Sequence, residues 1–90
     1  MITVRKAYHI RLKEHFQHAL IETRNRQKLS QAQMAEQLSM DERSYIDLDH
    51  GKTCCSAITL ALFLIYVCED VGKFLSELKD ALEEIRNKAA

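Results

Sequence analysis

Arg43 stands among acids. Asp41, Glu42, Asp47 and Asp49 surround it, and within residues 29–52 only Lys52 shares its sign. A guanidinium presents a planar fork of donors that can grip both acceptors on the edge of a guanine, a contact worth ~1–3 kcal/mol of discrimination. The carboxylates of Glu42 and Asp47 can each accept a hydrogen bond from the amino group of a cytosine. Together these three side chains could read G·C-containing sites, at a cost in affinity, because each carboxylate near a phosphate backbone repels it. Two other constellations could do chemistry. His15 and His18 lie three residues apart, a spacing that can hold a metal, but the sequence places no third ligand. Cys54 and Cys55 are adjacent and Cys68 is the third cysteine. That pattern gives neither a zinc cage nor a disulfide framework. Inert buried thiols are the expectation, with a redox sensor at the mouth of the next helix as the alternative.

The elements that must position these groups are helices. The chain has no proline and two glycines, Gly51 and Gly72, and the one hint of strand-like alternation is Ile2–Val4. The sequence predicts an all-α fold of five helices in a single domain, residues 1–90. The first helix is expected from His9 to Gln27, with Leu12, Phe16, Leu20 and Thr23 on its inner face and Tyr8 extending that stripe. Ser30-x-x-Gln33 is a capping box that opens the second helix, from which Met34, Ala35 and Leu38 face inward. Ser39–Met40 forms the turn. Asp41 caps the third helix, Tyr45 and Leu48 are its inward residues, and Gly51 stops it. Ser56 caps a fourth helix and Asp70 a fifth, at about 70–88.

Residues 58–68, ITLALFLIYVC, are apolar on nearly every side, which predicts burial on nearly every side, by the first and fifth helices or by a second subunit. In the fifth helix Val71, Leu75, Leu78, Leu82 and Ile85 recur at heptad spacing. This seam packs either on its own domain or, as the preferred expectation, on a second copy. Lys73–Glu77, Lys79–Glu83 and Glu84–Lys88 are spaced for ion pairs along its flanks.

Ninety residues leave a thin stability margin, which oligomerisation would widen. The formal net charge of zero hides a gradient. Residues 1–28 carry seven Lys/Arg against two acids, residues 29–52 two against five, and residues 53–90 four against six. The basic footprint expected of a nucleic-acid binder therefore lies at the amino end, at Arg5, Lys6, Arg11, Lys13, Arg26 and Lys28. No export signal or membrane-length apolar run is visible, so a cytoplasmic protein with no membrane partner is expected.

Residues 30–52 have the grammar of a helix-turn-helix, about 30–50, and the run from Arg24 to Thr53 resembles the Cro/cI-type (xenobiotic-response-element-like) family of phage and bacterial repressors. The likeness is carried by Arg24, Leu29-Ser30-Gln31, Met34-Ala35, Leu38, Met40, Ser44-Tyr45, Leu48-Asp49 and Gly51-Lys52, with Ser56 and Leu60 beyond. It departs from the family at Ser39, where a glycine is usual, at Cys55, where a proline is usual, and at Ile46, Ile58, Leu62 and Ile65, which replace polar positions.

The resemblance implies a lambda-repressor-like domain with an additional C-terminal helix. It places Glu42, Arg43 and Asp47 as base readers, and Gln31, Ser44, Lys52 and Thr53 on phosphates. Arg24 and Asp49 would form a structural ion pair. For Glu42 and Asp47 a solvated face is the plainer alternative, and for Tyr45 core packing, with its hydroxyl toward solvent or phosphate. The function so implied is a DNA-binding transcriptional regulator, a repressor, acting as a homodimer on double-stranded DNA. The alternative is a protein-interaction module on the same scaffold, antitoxin-like or a repressor's partner. No Gly-rich phosphate loop, nucleophile–base pair or complete set of metal ligands is present, so neither enzyme activity nor a cofactor is expected.

Overall fold

The computed structural model describes residues 3–89. Helix α1 spans Val4–Gln27, α2 Gln31–Gln37, α3 Glu42–Asp49, α4 Ala57–Leu62 and α5 Val71–Ala89. Among the described residues there are no strands. Val4 begins α1, and Ile2 lies outside the described residues. No helix among them is long and apolar enough to cross a membrane.

Helix α1 begins earlier than the apolar stripe announces. The Thr3 hydroxyl accepts from the Lys6 backbone N–H at 3.1 Å, so the cap sits five residues ahead of Tyr8 and the helix starts at Val4 rather than His9. The extra turn is solvent-exposed at Val4, Arg5 and Lys6 and leaves no periodic apolar signal. The other caps stand where they were expected. Ser30 and Gln33 close the capping box at 3.1 and 2.8 Å, Asp41 and Ser56 accept from the third backbone N–H beyond them, and Asp70 accepts from Lys73 N–H at 2.9 Å.

Three successive helices end the same way. Leu29 N–H reaches Arg24 C=O, Met40 N–H reaches Ala35 C=O and Lys52 N–H reaches Asp47 C=O. Each closure runs back five residues across one left-handed residue: Lys28 at φ 57°, Ser39 at φ 54° and Gly51 at φ 73°. Only Gly51 is free of the Cβ penalty that this conformation carries. It is also crowded, since a Cβ there would sit 2.6 Å from Gln17 Oε1.

The core forms where α1 meets the short helices. Phe16 and Leu20 from α1, Met34, Ala35 and Leu38 from the α2 segment, and Tyr45 and Leu48 from α3 are buried, joined by Phe63, Val67 and Phe74. Phe63 lies edge-on to Phe16 at 5.1 Å and tilted to Phe74 at 5.8 Å, which ties the segment just after α4 to both α1 and α5. Leu12 is half-buried at the end of this stripe.

Helix α4 differs from its expectation in two ways. After Leu62 the chain widens into a π turn over Phe63–Val67, closed by Cys68 N–H on Phe63 C=O at 2.7 Å. The segment is also not enclosed: Ile58 in α4, and Ile65 and Tyr66 in the π turn, are 65%, 69% and 71% exposed.

Helix α5 runs antiparallel to α1. Arg86 Nε donates to Tyr8 Oη at 2.9 Å with its guanidinium over the Tyr8 ring, Arg11 pairs with Glu84 at 3.7 Å, and His15 Nε2 donates to Phe74 C=O at 3.1 Å. This divides the seam. Leu78, Leu82 and Ile85 are half-buried, while Val71 and Leu75 remain on the surface. Of the three expected pairs, Lys79–Glu83 and Glu84–Lys88 form at 3.8 and 3.3 Å; Lys73–Glu77 does not.

Candidate nucleic-acid interface

The scaffold beneath the outward face of α3 is a buried carboxylate. Asp49, 6% exposed, receives Arg24 Nε at 3.3 Å and the Tyr45 hydroxyl at 3.0 Å on Oδ1, and Gln31 Nε2 at 3.1 Å on Oδ2. Its backbone carbonyl takes Gln17 Nε2 at 3.1 Å, and Arg24 also reaches Leu29 C=O at 3.4 Å. The ion pair expected between Arg24 and Asp49 is present, but it is one spoke of a hub that binds α1, α2 and α3 together. Tyr45 is fully buried and its hydroxyl donates to Asp49, so it reaches neither solvent nor phosphate. Burial, followed by the charge of Asp49, raises the Tyr45 pKa and keeps the hydroxyl a donor. Gln17 is the member that sequence reasoning missed. Its position seven residues before Arg24, two turns along one face of α1, was the available signal.

Above this hub, Glu42, Arg43 and Ser44 are exposed. Arg43 makes no ion pair among the described residues. Asp47 is half-buried and lines a shallow concavity between α3 and the start of α4, with Ser44, Thr53, Cys54 and Ser56. The side chains expected to read bases are therefore not equivalent, with Arg43 and Glu42 outermost and Asp47 at the edge.

The residues expected on phosphates also separate. Lys52 and Thr53 are exposed. The Ser44 hydroxyl donates to Asp41 Oδ1 at 2.8 Å and its N–H to Oδ2 at 3.0 Å. These two bonds, the hydroxyl's first, hold the Asp41 carboxyl below the usual aspartate value. A phosphate accepts and does not donate, so Ser44 must leave Asp41 to contact one. Gln31 has one amide N–H committed to Asp49 and the other left for an anion.

The cations expected to offset the acidic face are fewer than the sequence suggests. Arg26 lies between Glu22 at 2.6 Å and Glu69 at 3.4 Å, and Arg11 is paired with Glu84. Lys6 lies 18 residues ahead of Arg24 on one continuous helix, about 27 Å along its axis. That is beyond the ~10 Å over which exposed charges act at 0.1 M salt. Lys28, at the end of α1, and Lys52, just after α3, are exposed and make no ion pair among the described residues.

The remaining candidates do not form sites. His15 is tied to the Phe74 carbonyl and packs against its ring at 4.7 Å, and no three metal-ligating side chains come together among the described residues. The three cysteines are free and half-buried. Burial, then the neighbouring Cys54, pushes the Cys55 thiol up to about 12, opposite to the shift a reactive thiolate needs.

No family model, curated protein or solved structure matches this chain.

Proposed function

We propose that the chain is a DNA-binding transcriptional regulator, a repressor built on a lambda-repressor-like helix-turn-helix, with α2 and α3 as the paired helices and α5 as the addition. The observation that carries this reading is the outward face of α3, which exposes Arg43 without an ion-pair partner on a helix held rigid from beneath by Asp49. A helix so placed can enter a major groove, with Arg43 bidentate to a guanine and Glu42 accepting from a cytosine. Lys52, Thr53 and the free N–H of Gln31 are available for flanking phosphates. With few cations on this face, one copy binds weakly. A twofold homodimer on half-sites about 34 Å apart supplies the affinity.

The test is a fluorescence-anisotropy titration against sequences selected from random duplex DNA, at ~50 and ~200 mM salt. Binding should weaken steeply with salt. Arg43→Ala should lose ~1–3 kcal/mol of preference at one base position, whereas Lys52→Ala should weaken all sequences alike. A selected site whose preference survives Arg43→Ala ends the base-reading assignment.

A second reading, a module for a protein partner such as a toxin or another repressor, is favoured by the acidity around Arg43 and by the bare face of α4. It takes precedence if no duplex binds at the lower salt.

A further inference from the structure

The surface of α4 is the largest feature the DNA-binding reading leaves unused. Ile58 and Tyr66 stand eight residues apart and Ile65 beside Tyr66, each about two-thirds exposed, with Leu62 half-buried between them. The three outermost side chains offer on the order of 400 Å² of apolar surface, the scale of the largest patch on an ordinary monomer, which is often a functional one. From Thr53 to Cys68 the sequence has no Asp, Glu, Lys, Arg or His, sixteen residues in all.

We infer that this uncharged face, running from α4 into the π turn and centred on Ile65 and Tyr66, is where a second copy of the chain docks across a twofold axis. The argument for that occupant is electrostatic. A twofold contact sets every side chain near the axis against its own kind, so a charge at the centre would meet its like, and α4 carries none. An anionic lipid surface is disfavoured, since the carboxyl end of the patch runs into Glu69 and Asp70 with no lysine or arginine within it. A charged peptide would find no counter-charge there.

The face of α5 has the opposite character. The groove between α1 and α5, lined by Tyr8, Leu75, Leu78 and Leu82, is rimmed by Lys79, Glu83 and Arg86, and much of its apolar seam is already spent on α1. The docking surface thus moves from the α5 seam to α4. Two copies meeting over the exposed trio bury roughly 800 Å² in total, below the ~1,200–2,000 Å² of a stable complex, so the dimer dissociates on dilution. This contact deepens the homodimer of the DNA-binding reading, and its measurement stands whether or not DNA binds.

Sedimentation velocity on the full chain between about 1 and 200 µM, at ~50 and ~500 mM salt, tests it. The wild type should pass from monomer to dimer in this range, with little response to salt. Ile65→Asp and Tyr66→Asp should each raise the dissociation constant at least ~10-fold, with the helical circular-dichroism signal unchanged because both positions are exposed. Ile65→Asp mixed with Ile65→Lys should recover dimer that neither forms alone, since a twofold interface places the same patch on both sides. A wild type that stays monomeric throughout overturns the inference. So does a dimer lost in Leu75→Asp and kept in Ile65→Asp, or a mixture that fails to reassociate. DNA binding is read separately with the same variants, so a dimer without DNA affinity removes the regulator and leaves the α4 contact standing.

Discussion

Truncating Asp49 to alanine tests whether the hub holds the three amino-terminal helices together. The substitution strands a guanidinium that is 20% exposed and a tyrosine hydroxyl that is fully buried. Breaking one side of a buried ion pair costs ~3–5 kcal/mol. The partial exposure of Arg24 argues for the lower end, about 3, because water can reach its guanidinium. A buried hydroxyl without an acceptor adds ~1–2 kcal/mol. The expected loss is therefore about 4 kcal/mol, from a domain of this length whose total stability is about 5–13 kcal/mol. At ~4–8 °C per kcal/mol the melting temperature should fall by roughly 15–30 °C.

Urea unfolding followed by far-UV circular dichroism measures the loss, and a double-mutant cycle with Arg24→Met and Asp49→Leu separates pair from hydroxyl. The cycle should give a coupling of at least ~1.5 kcal/mol, and Tyr45→Phe alone should cost about 1 kcal/mol. A loss below ~1 kcal/mol in Asp49→Ala, with the midpoint shifted and the slope unchanged, would refute the reasoning, since the carboxylate would then be dispensable.

Three further outcomes are expected. Ser39→Gly should stabilise the domain by ~0.5–1 kcal/mol in the same urea assay, because the left-handed conformation at φ 54° burdens serine and not glycine. Asp41→Asn should lower stability near neutral pH and match the wild type in acid. A carboxyl held below its ordinary 3.8 contributes stability above that value and loses it as pH falls through the folded value, so in thermal melts the gap between the two proteins should be full at pH 7 and narrow progressively as the pH is taken below 3.8. Cys55, its thiol raised from 9.0 to about 12, stays protonated at pH 8. Iodoacetamide should label it about two to three orders of magnitude more slowly in the native protein than in urea, read by mass spectrometry of its peptide.

Much of the architecture was legible from local chemistry. Ser30 with Gln33, Asp41, Ser56 and Asp70 cap helices where their side chains say they should, because a cap satisfies backbone groups within three residues. Phe16, Leu20, Met34, Leu38, Tyr45 and Leu48 are buried because the helical period puts them on one face. What escaped was non-local or aperiodic. The first turn of α1 has a cap but no apolar stripe. The bonds of Gln17 and Gln31 to Asp49 span 32 and 18 residues, contacts that a linear reading does not contain. The π turn and the exposure of Ile58, Ile65 and Tyr66 have no periodic signature, so an all-apolar composition signalled burial that these three side chains do not have. At the candidate interface, the identity of Arg43 and the one-turn spacing of Glu22 and Arg26 could be read from the chain; the long-range pairs Arg11–Glu84 and Arg26–Glu69, which weaken the expected basic field, could not.

The repeated closure at Lys28, Ser39 and Gly51 makes spacing the rigid quantity in this domain. Each connector folds back on the helix it leaves, so it holds no slack into which an inserted residue could be absorbed. An extra residue within 38–41 would either break the Met40 bond to Ala35 or displace Tyr45 from Asp49. Side chains on the outer surface of α3 face no such limit. A lineage built on this frame could therefore exchange Glu42 or Arg43 to acquire new targets while every gap between its first three helices stayed the same length.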